Sequence, residues 1–278
     1  MERTLMKKEL IEKLKAYQND MRLQELSEKT ICKYLADIKQ WIFWEGEEIT
    51  KNNLIDYKLY LTKQYKVSSV NSKIVSINRY LKWLGYKEIN VRIKKVQQSN
   101  VLDKMITKEN YYKMLNYAKN KGKNKIYCIM RTIATTGIRI GELKFVTVMA
   151  VSNGYTQVCN KGKYRYIYLP ECLCRELLAY CEEEQIIEGC VFRGREGKAI
   201  SSTGVWKSMK GIAKELDIPG ETVFPHSLRH LFAKNYMEKV GDVTELADIL
   251  GHSRLETTWI YTKTTSAEKR ARLNQLDL

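Results

Sequence analysis

The sequence lacks any apolar run close to the roughly 18 residues that a membrane-spanning helix needs. Its first residues, Met-Glu-Arg-Thr, do not lead into the apolar core of a secretory signal, and no lipidation signal or basic amphipathic anchor is visible. These absences disfavour a membrane protein and a secreted one. We therefore expect a cytoplasmic protein with no membrane partner.

The seven cysteines are unevenly spaced, and none forms a Cys-x-x-Cys pair. That spacing does not match the common zinc sites. Asp, Glu and His also form no cluster with ligand spacing, which disfavours a metal-dependent nuclease. In a reducing compartment, single cysteines usually pack as small apolar side chains. We therefore expect no metal.

Positive charge is what the chain has in excess. Lys and Arg number 48 against 32 Asp and Glu, so the formal net charge is +16. Both the first 98 residues and the remainder are basic, so the charge is not confined to a tail. This distribution favours a polyanionic partner, and without a membrane anchor we expect nucleic acid.

Length and hydrophobic pattern predict two domains joined by a linker. Apolar residues recur at helical spacing through residues 10–84, with Ser27 as a predicted N-cap, Thr50 as the start of a third helix and Gly85 closing a fourth. A basic and polar stretch without periodicity follows, which is typical of a linker. The predicted limits are 1–90 for a helical domain, 91–104 for the linker and 105–278 for a second domain.

The second domain is predicted to be α+β. A buried helix over 126–134 ends near Gly137, and helices resume at Pro170 and again from Thr203. Between them, three stretches have β-type patterns, and a polar hairpin connection joins the last two. The three are Phe145–Val151, Tyr155–Cys159 and Arg165–Leu169. The whole chain is therefore expected to be mainly α with one small antiparallel sheet.

All three histidines lie within 27 positions, at His226, His230 and His252, and they share that stretch with Arg229 and Tyr261. Histidine is suited to moving protons near neutral pH. A guanidinium offers a planar fork of donors that matches two phosphate oxygens. The cluster predicts one site that handles a proton, an anion and a hydroxyl group.

Four motifs follow one another in the second domain. They are Thr136-Gly-Ile-Arg139-Ile-Gly-Glu142-Leu, Asn160-Lys161-Gly-Lys163, His226-Ser-Leu-Arg229-His230, and Leu250-Gly-His252 leading to Tyr261. In this order they resemble the tyrosine recombinases of the phage-integrase family, and in size the compact two-domain bacterial members. The resemblance covers nearly all of the chain. It implies a four-helix, SAM-like core-binding domain followed by the family's DNA breaking-rejoining catalytic domain.

The resemblance further implies a site-specific recombinase that cleaves and rejoins DNA through a 3′-phosphotyrosyl intermediate, with no metal, ATP or other cofactor. Tyr261 is its nucleophile. A phenol with a pKa near 10 stays protonated at neutral pH, so it needs a proton acceptor, which the resemblance assigns to His226. The other implied catalytic residues are Arg139, Lys161, Arg229 and His252, with Glu142 and His230 in support.

A lysine on the predicted hairpin can protonate the leaving 5′ oxygen. The family often reads Gly-Lys-Gly-x-Lys-x-Arg there, whereas this chain reads Asn160-Lys-Gly-Lys-Tyr-Arg165, one residue shorter. Both Lys161 and Lys163 are therefore candidates for the general acid, and Lys161 is favoured.

The expected partner is double-stranded DNA that carries a specific site, gripped mostly through its phosphates. Polar positions of the fourth helix and of the hairpin are predicted to contact DNA: Asn71, Lys73, Asn78, Arg79, Lys163 and Arg165. The resemblance also implies a nucleoid-associated tetramer on DNA, in which residues 262–278 dock on a neighbouring subunit. It leaves open a need for accessory DNA-bending or directionality factors.

Two other functions remain open at this point. A type IB topoisomerase shares the Arg-Lys-Arg-His-Tyr chemistry but relaxes supercoils as a monomer. A non-catalytic, sequence-specific DNA-binding protein forms no covalent adduct. The sequence also does not choose among integration, excision, inversion and dimer resolution.

Overall fold

The computed structural model describes residues 2–44, 49–94, 105–160, 163–194, 197, 199–252, 254–262, 270 and 274. The side chains of residues 2–8, 160 and 163 are not part of that description. The chain forms two compact units, Met1–Gln98 and Ser99–Leu278. The predicted domain limits remain predictions, since residues 95–104 lie outside the described ranges.

The N-terminal unit is helical, and its helices begin where the sequence places caps. The side chains of Ser27 and Thr50 each accept a hydrogen bond from the backbone amide three residues on, which confirms the predicted N-cap at Ser27 and makes Thr50 the N-cap of the third helix. Buried apolar residues hold the helices together, and the hydroxyl of the buried Tyr80 donates to the carbonyl of Leu10 at 2.7 Å. The helices are α1 (Glu2–Leu23), α2 (Glu28–Phe43), α3 (Lys51–Gln64) and α4 (Val67–Trp83).

The C-terminal unit packs further helices around a large apolar core and a second, smaller apolar cluster. A 3₁₀ segment, Ile140–Phe145, follows the second of these helices, and another, Trp259–Thr262, carries Tyr261. The helices are α5 (Lys108–Asn120), α6 (Asn124–Thr136), α7 (Val148–Asn153), α8 (Glu171–Glu183), α9 (Ser202–Glu215), α10 (Pro225–Lys239) and α11 (Val243–Leu250). None of the described helices of either unit is long and apolar enough to cross a membrane.

Two strands form an antiparallel hairpin, β1 (Tyr155–Asn160) and β2 (Lys163–Tyr168). The described residues thus give a mainly helical chain with one small antiparallel sheet, which confirms the predicted fold class. Val158 and Ile167 of the hairpin are buried in the core. This burial fixes the base of the hairpin to the unit.

The strand predicted over Phe145–Val151 is wrong, because most of that stretch belongs to α7. The hydroxyl of Thr147 accepts from the amide of Ala150 at 3.1 Å, and Gly154 ends the helix with φ 76°. Ala150 and Val151 are buried next to each other while Met149 is exposed, which a strand with alternating faces would not allow. The valine-rich composition favoured a strand, but the two caps decide for a helix.

Gly137 sets how closely α6 approaches α10. It ends α6 with φ 64°, and a Cβ there would lie 2.5 Å from Cδ1 of Phe232 on α10. Only glycine fits both the left-handed conformation and this close contact. The approach brings Arg139, which follows α6, towards Arg229 on α10.

Candidate active site

Arg229 lies at the centre of the site, where the C-terminal ends of two helices meet. Its guanidinium donates to the carbonyl of Gly137, at the end of α6, and to the carbonyl of Leu250, at the end of α11 (2.5 Å). Helix C-termini carry partial negative charge and favour a cation. The side chain is only 1% exposed, and among the described residues its Nε has no hydrogen-bond partner. Burial and the charges of Arg139 and Arg165 lower the pKa of Arg229 to about 9, which leaves it charged at neutral pH.

Arg139 extends from the turn after α6 towards the same corner and keeps 29% of its side chain exposed. Its Nη2 donates to the carbonyl of Gly251 at 3.0 Å, and its Nη1 donates to Glu142 at 3.2 Å. The carboxylate of Glu142 also accepts from the backbone amide of Arg139 at 2.9 Å. Glu142 therefore holds both the side chain and the backbone of Arg139.

Arg165 binds Glu142 more tightly than Arg139 does. Its two terminal nitrogens donate to the two carboxylate oxygens at 2.9 and 2.7 Å. Burial alone would raise the pKa of Glu142, but the hydrogen bonds from Arg165 and from the amide of Arg139 lower it to about 2. Arg165 was predicted to contact DNA; the structure places its side chain, 12% exposed, in this buried ion pair.

His252 follows α11 and is oriented from both sides of its ring. Its Nε2 lies 3.3 Å from Nη2 of Arg229, and its Nδ1 lies 2.8 Å from the hydroxyl of Thr258. A guanidinium can only donate, so Nε2 accepts and Nδ1 carries the proton. Thr258 is fully buried. No pattern marked it as the partner of His252.

Tyr261 is buried, and its hydroxyl contacts His230. The distance from the oxygen to Nδ1 of His230 is 2.6 Å. Burial raises the pKa of Tyr261 to about 12, although the charges of Arg229 and Arg139 act in the opposite direction. Burial also lowers the pKa of His230 to about 3. The phenol is therefore the donor, and neutral His230 is the acceptor.

His226 lies beside this pair rather than in it. Its ring packs edge-on against that of His230 with 4.5 Å between centroids. The residue is exposed, yet desolvation by the surrounding protein, together with the charges of Arg229 and Arg139, lowers its pKa. The sequence analysis named His226 as the proton acceptor for Tyr261, and the described hydrogen bond runs to His230 instead. The role of His226 stays a prediction.

The three histidines share one electrostatic environment. Burial and the neighbouring guanidinium groups lower the pKa of His252 to about 4, as they lower those of His226 and His230. All three are therefore neutral at pH 7. A pocket that penalises added positive charge in this way favours a bound anion, and an anion would in turn make the histidines easier to protonate.

The two candidate general acids cannot be compared from their contacts. Lys161 lies outside the described residues. Lys163 begins β2 opposite Asn160, but its side chain is not described. The choice between them therefore stays a prediction.

Two predicted DNA contacts of α4 instead bind the chain segment that follows this helix. The side-chain amide of Asn71 exchanges hydrogen bonds with the carbonyl (2.8 Å) and the amide (3.0 Å) of Lys94. Asn78 does the same with Val91, at 2.9 and 3.3 Å. Both side chains therefore act as anchors for residues 90–94.

The two basic residues predicted on α4 are also engaged within the unit. Lys73 lies 3.2 Å from the buried carboxylate of Asp37 and donates to Gln40 at 2.6 Å. Arg79 donates to Gln24, and its guanidinium lies over the ring of Tyr34. DNA contact by these residues stays a prediction, and in this structure it would require them to leave these partners.

Residues 104–268 match the family model described as "Phage integrase family". That match covers more than half of the 278 residues. The chain belongs to the phage integrase family. The resemblance seen in its four motifs is thereby confirmed.

Curated relatives agree along almost the whole length of this family member. The tyrosine recombinase XerD of Halalkalibacterium halodurans is 26% identical and aligns over 88% of this chain and 90% of its own. The tyrosine recombinase XerA of Pyrococcus furiosus is also 26% identical, over 100% and 96%. The expectation that the chain is a tyrosine recombinase, an enzyme of site-specific DNA strand exchange, is confirmed.

A solved structure supports the fold. The Tn1549 transposon integrase, in complex with circular intermediate DNA, matches 95% of this chain and 99% of its own with a TM-score of 0.73. The sequence identity is 15%, so the likeness concerns the fold.

Proposed function

We propose that the chain cleaves and rejoins DNA at a specific site through a covalent 3′-phosphotyrosyl link, with Tyr261 as the nucleophile and no need for metal or ATP. One observation carries this proposal. Tyr261, His230, Arg229, His252 and Arg139 come from four separate segments, yet the structure joins them into one pocket. A buried phenol beside two guanidinium groups suits attack on a phosphodiester.

In the cleavage step, the oxygen of Tyr261 forms a bond to phosphorus while the bond from phosphorus to the 5′ oxygen breaks. Arg139 is the more open guanidinium and would bind the non-bridging oxygens directly. Arg229 would contribute its positive charge and its buried Nε donor. Reversal of the step by the 5′-hydroxyl of another strand rejoins the DNA, and the energy of the broken bond stays in the tyrosyl ester.

Two protons move during cleavage. His230 is the first acceptor that we assign for the phenolic proton, because the hydroxyl already donates to it. An incoming phosphate offsets part of the positive charge that keeps the histidines neutral, so proton transfer becomes easier once DNA is bound. His226 keeps its predicted role as the acceptor nearer to solvent. A hairpin lysine, Lys161 in preference to Lys163, gives a proton to the leaving 5′ oxygen.

On DNA, the two units would grip one duplex mainly through phosphates, in line with the net charge of +16. Strand exchange between two duplexes needs four active sites, so the assembly that we propose on DNA is a tetramer. Docking of residues 262–278 on a neighbouring subunit and a place in the cytoplasm near the nucleoid belong to the same proposal.

The experiment starts from duplexes recovered from a random-sequence pool by repeated binding to the protein. These are nicked beside the mapped cleavage position, so that the freed fragment diffuses away and the tyrosyl ester accumulates. The wild-type chain should give an adduct that survives denaturing detergent, and Tyr261→Phe should give none while binding the same duplex equally well. Tyr112→Phe, an exposed phenol of the same unit, is the matched control and should react like the wild type.

Adducts that persist in Tyr261→Phe would overturn the assignment of Tyr261 as the nucleophile. A wild-type chain that binds its selected duplex but forms no adduct would favour a non-catalytic DNA-binding protein. Relaxation of supercoiled plasmid by a monomer with no preferred site would favour a type IB topoisomerase.

A further inference from the structure

Arg165 links the hairpin to two other parts of the active site. Besides its paired bonds to Glu142, its Nε donates to the carbonyl of Ile249, near the end of α11, at 3.2 Å. One guanidinium thus joins β2 to the carboxylate that holds Arg139 and to the helix that leads into His252. Planar guanidinium groups fix their partners in direction as well as in distance.

Gly251 also packs against the side chain of Arg165. A Cβ on Gly251 would lie 2.7 Å from Cδ and 3.0 Å from Nε of Arg165, so the arginine packs flat against the glycine backbone. Gly251 has φ 62°, and its carbonyl receives the hydrogen bond from Arg139. Gly251 therefore contacts both arginines and limits the positions that Arg165 and Arg139 can take.

Arg165 lies at the position along the hairpin where its contacts with the apolar core end. In the strand register it lies opposite Val158, which is buried, and Ile167 is buried two residues further from the turn. Beyond Arg165, towards the turn, lie Asn160 and Lys163, which are paired with each other. Contacts with the apolar core thus fix the base of the hairpin, and the hydrogen bonds of Arg165 fix the middle of the hairpin.

We propose that Arg165 is a positioning residue, which fixes β2 against Glu142 and α11 so that a lysine of the hairpin reaches the leaving 5′ oxygen. The inference rests on the proposed function and replaces the predicted DNA contact of this residue. The bonds of Arg139 to Glu142 and Gly251 do not involve Arg165. The loss should therefore fall on protonation of the leaving group rather than on binding of the phosphate.

The chemistry offers a way to isolate that step. With the natural substrate, the bond from phosphorus to the 5′ oxygen breaks and the oxygen takes a proton from the general acid. If sulfur replaces that bridging oxygen, the leaving group departs as a thiolate and needs no proton, since thiols ionise several pKa units more easily than alcohols. A variant that has lost only the positioning of the acid should recover on the sulfur substrate.

The test compares the wild type, Arg165→Gln and Arg165→Lys on nicked duplexes that differ only in oxygen or sulfur at this position. Cleavage is measured at saturating DNA, and the Kd for the duplex is measured separately. Arg175→Gln removes the same charge from an exposed position of α8 and is the matched control. If Arg165→Gln does not fold at the assay temperature, Arg165→Lys, which keeps the charge without the paired geometry, carries the comparison.

We expect Arg165→Gln to cleave the oxygen substrate on the order of 100-fold more slowly, as a misplacement near 1 Å would cause. The sulfur substrate should be cleaved within about fivefold of the wild-type rate, with Kd unchanged. A weaker Kd with a salt slope lower by about 1 would restore the DNA contact and overturn the proposal. Equal losses on both substrates, or wild-type rates on both, would also overturn it. No adduct from the wild type would instead overturn the proposed function.

Discussion

The C-terminal pocket and the surface of α4 were both predicted from polar residues. In the structure, the contacts of these two sets of side chains differ. In the pocket, side chains that are far apart in sequence meet, and Arg139 remains partly open for a ligand. On α4, the polar side chains predicted for DNA are occupied by the chain itself. Asn71 and Asn78 anchor the segment after the helix, and Lys73 forms an ion pair with Asp37.

The difference separates two kinds of evidence. The pocket residues were identified by spaced motifs, in which residue type and order are both constrained. The α4 residues were identified by the composition of one helix face, which is the same for a DNA-contacting face and for one that binds a neighbouring loop. Polar composition alone therefore does not distinguish a ligand surface from an internal anchor. The following variants test this contrast, from the largest expected effect to the smallest.

Replacing Arg229 with Lys should have the largest effect. The single ammonium cannot satisfy both helix ends, and each carbonyl left unpaired in the interior costs about 1–3 kcal/mol. We expect the free energy of unfolding to fall by about 3 kcal/mol and cleavage by roughly 1,000-fold. Urea unfolding followed by circular dichroism measures the first. The exposed Arg175→Lys should change neither, and a fully stable Arg229→Lys would contradict the place of Arg229 between the helix ends.

His230 should make the unit less stable in mild acid. Its pKa is about 3 in the folded state and near 6.5 when unfolded, so below pH 6.5 the unfolded chain binds the extra proton. Stability from this group is therefore complete above pH 6.5 and is lost as pH falls. Between pH 7 and pH 5 the loss is about 2 kcal/mol. His230→Gln should lose that much less over the same interval in urea unfolding; an unchanged pH dependence would show that His230 is not buried in its neutral form.

Thr258→Val should affect cleavage more than folding. The substitution keeps the shape of the side chain but removes the acceptor for Nδ1 of His252. Without it the imidazole ring loses its fixed orientation, and cleavage should fall about tenfold, with about 1 kcal/mol lost from stability. Thr257→Val changes the exposed neighbour and serves as the control. Equal effects of the two variants would contradict the orienting role of Thr258.

Asn78→Ala tests the other side of the comparison. It removes the hydrogen bonds to both backbone groups of Val91 and should lower the free energy of unfolding by about 1 kcal/mol. DNA affinity of the folded variant should stay within about twofold of the wild type. Lys82→Ala, exposed on the same helix, is the control for loss of a surface side chain. A strong loss of DNA affinity with unchanged stability would instead show that Asn78 contacts DNA.

Much of the fold followed from short-range signals. Ser27, Thr50 and Gly137 end or begin helices where the sequence places them, because caps act through atoms only a few residues away. The strand predicted over Phe145–Val151 is wrong because local signals in that stretch form a helix instead. Thr147 and Gly154 cap a helix there, although the β-type pattern of the residues between them indicates a strand.

The site could be predicted as a set of positions but not as a set of contacts. Motif order placed Arg139, Arg229 and Tyr261 in one pocket. It could not show that Tyr261 lies on His230, or that Arg165 faces Glu142. Those contacts depend on how helices and the hairpin pack over long sequence separations, which no local pattern encodes.

The central claim is that Tyr261, held by His230 at the edge of the Arg229 pocket, becomes covalently joined to DNA. Trypsin digestion of the trapped adduct, after nuclease trimming, isolates the peptide Leu-Glu-Thr-Thr-Trp-Ile-Tyr-Thr-Lys, in which Tyr261 is the single tyrosine. Mass spectrometry should find this peptide carrying a nucleotide remnant through its 3′ phosphate, with the fragments assigning the added mass to Tyr261. The same remnant on another residue, or this peptide unmodified in a sample rich in adduct, would contradict the account.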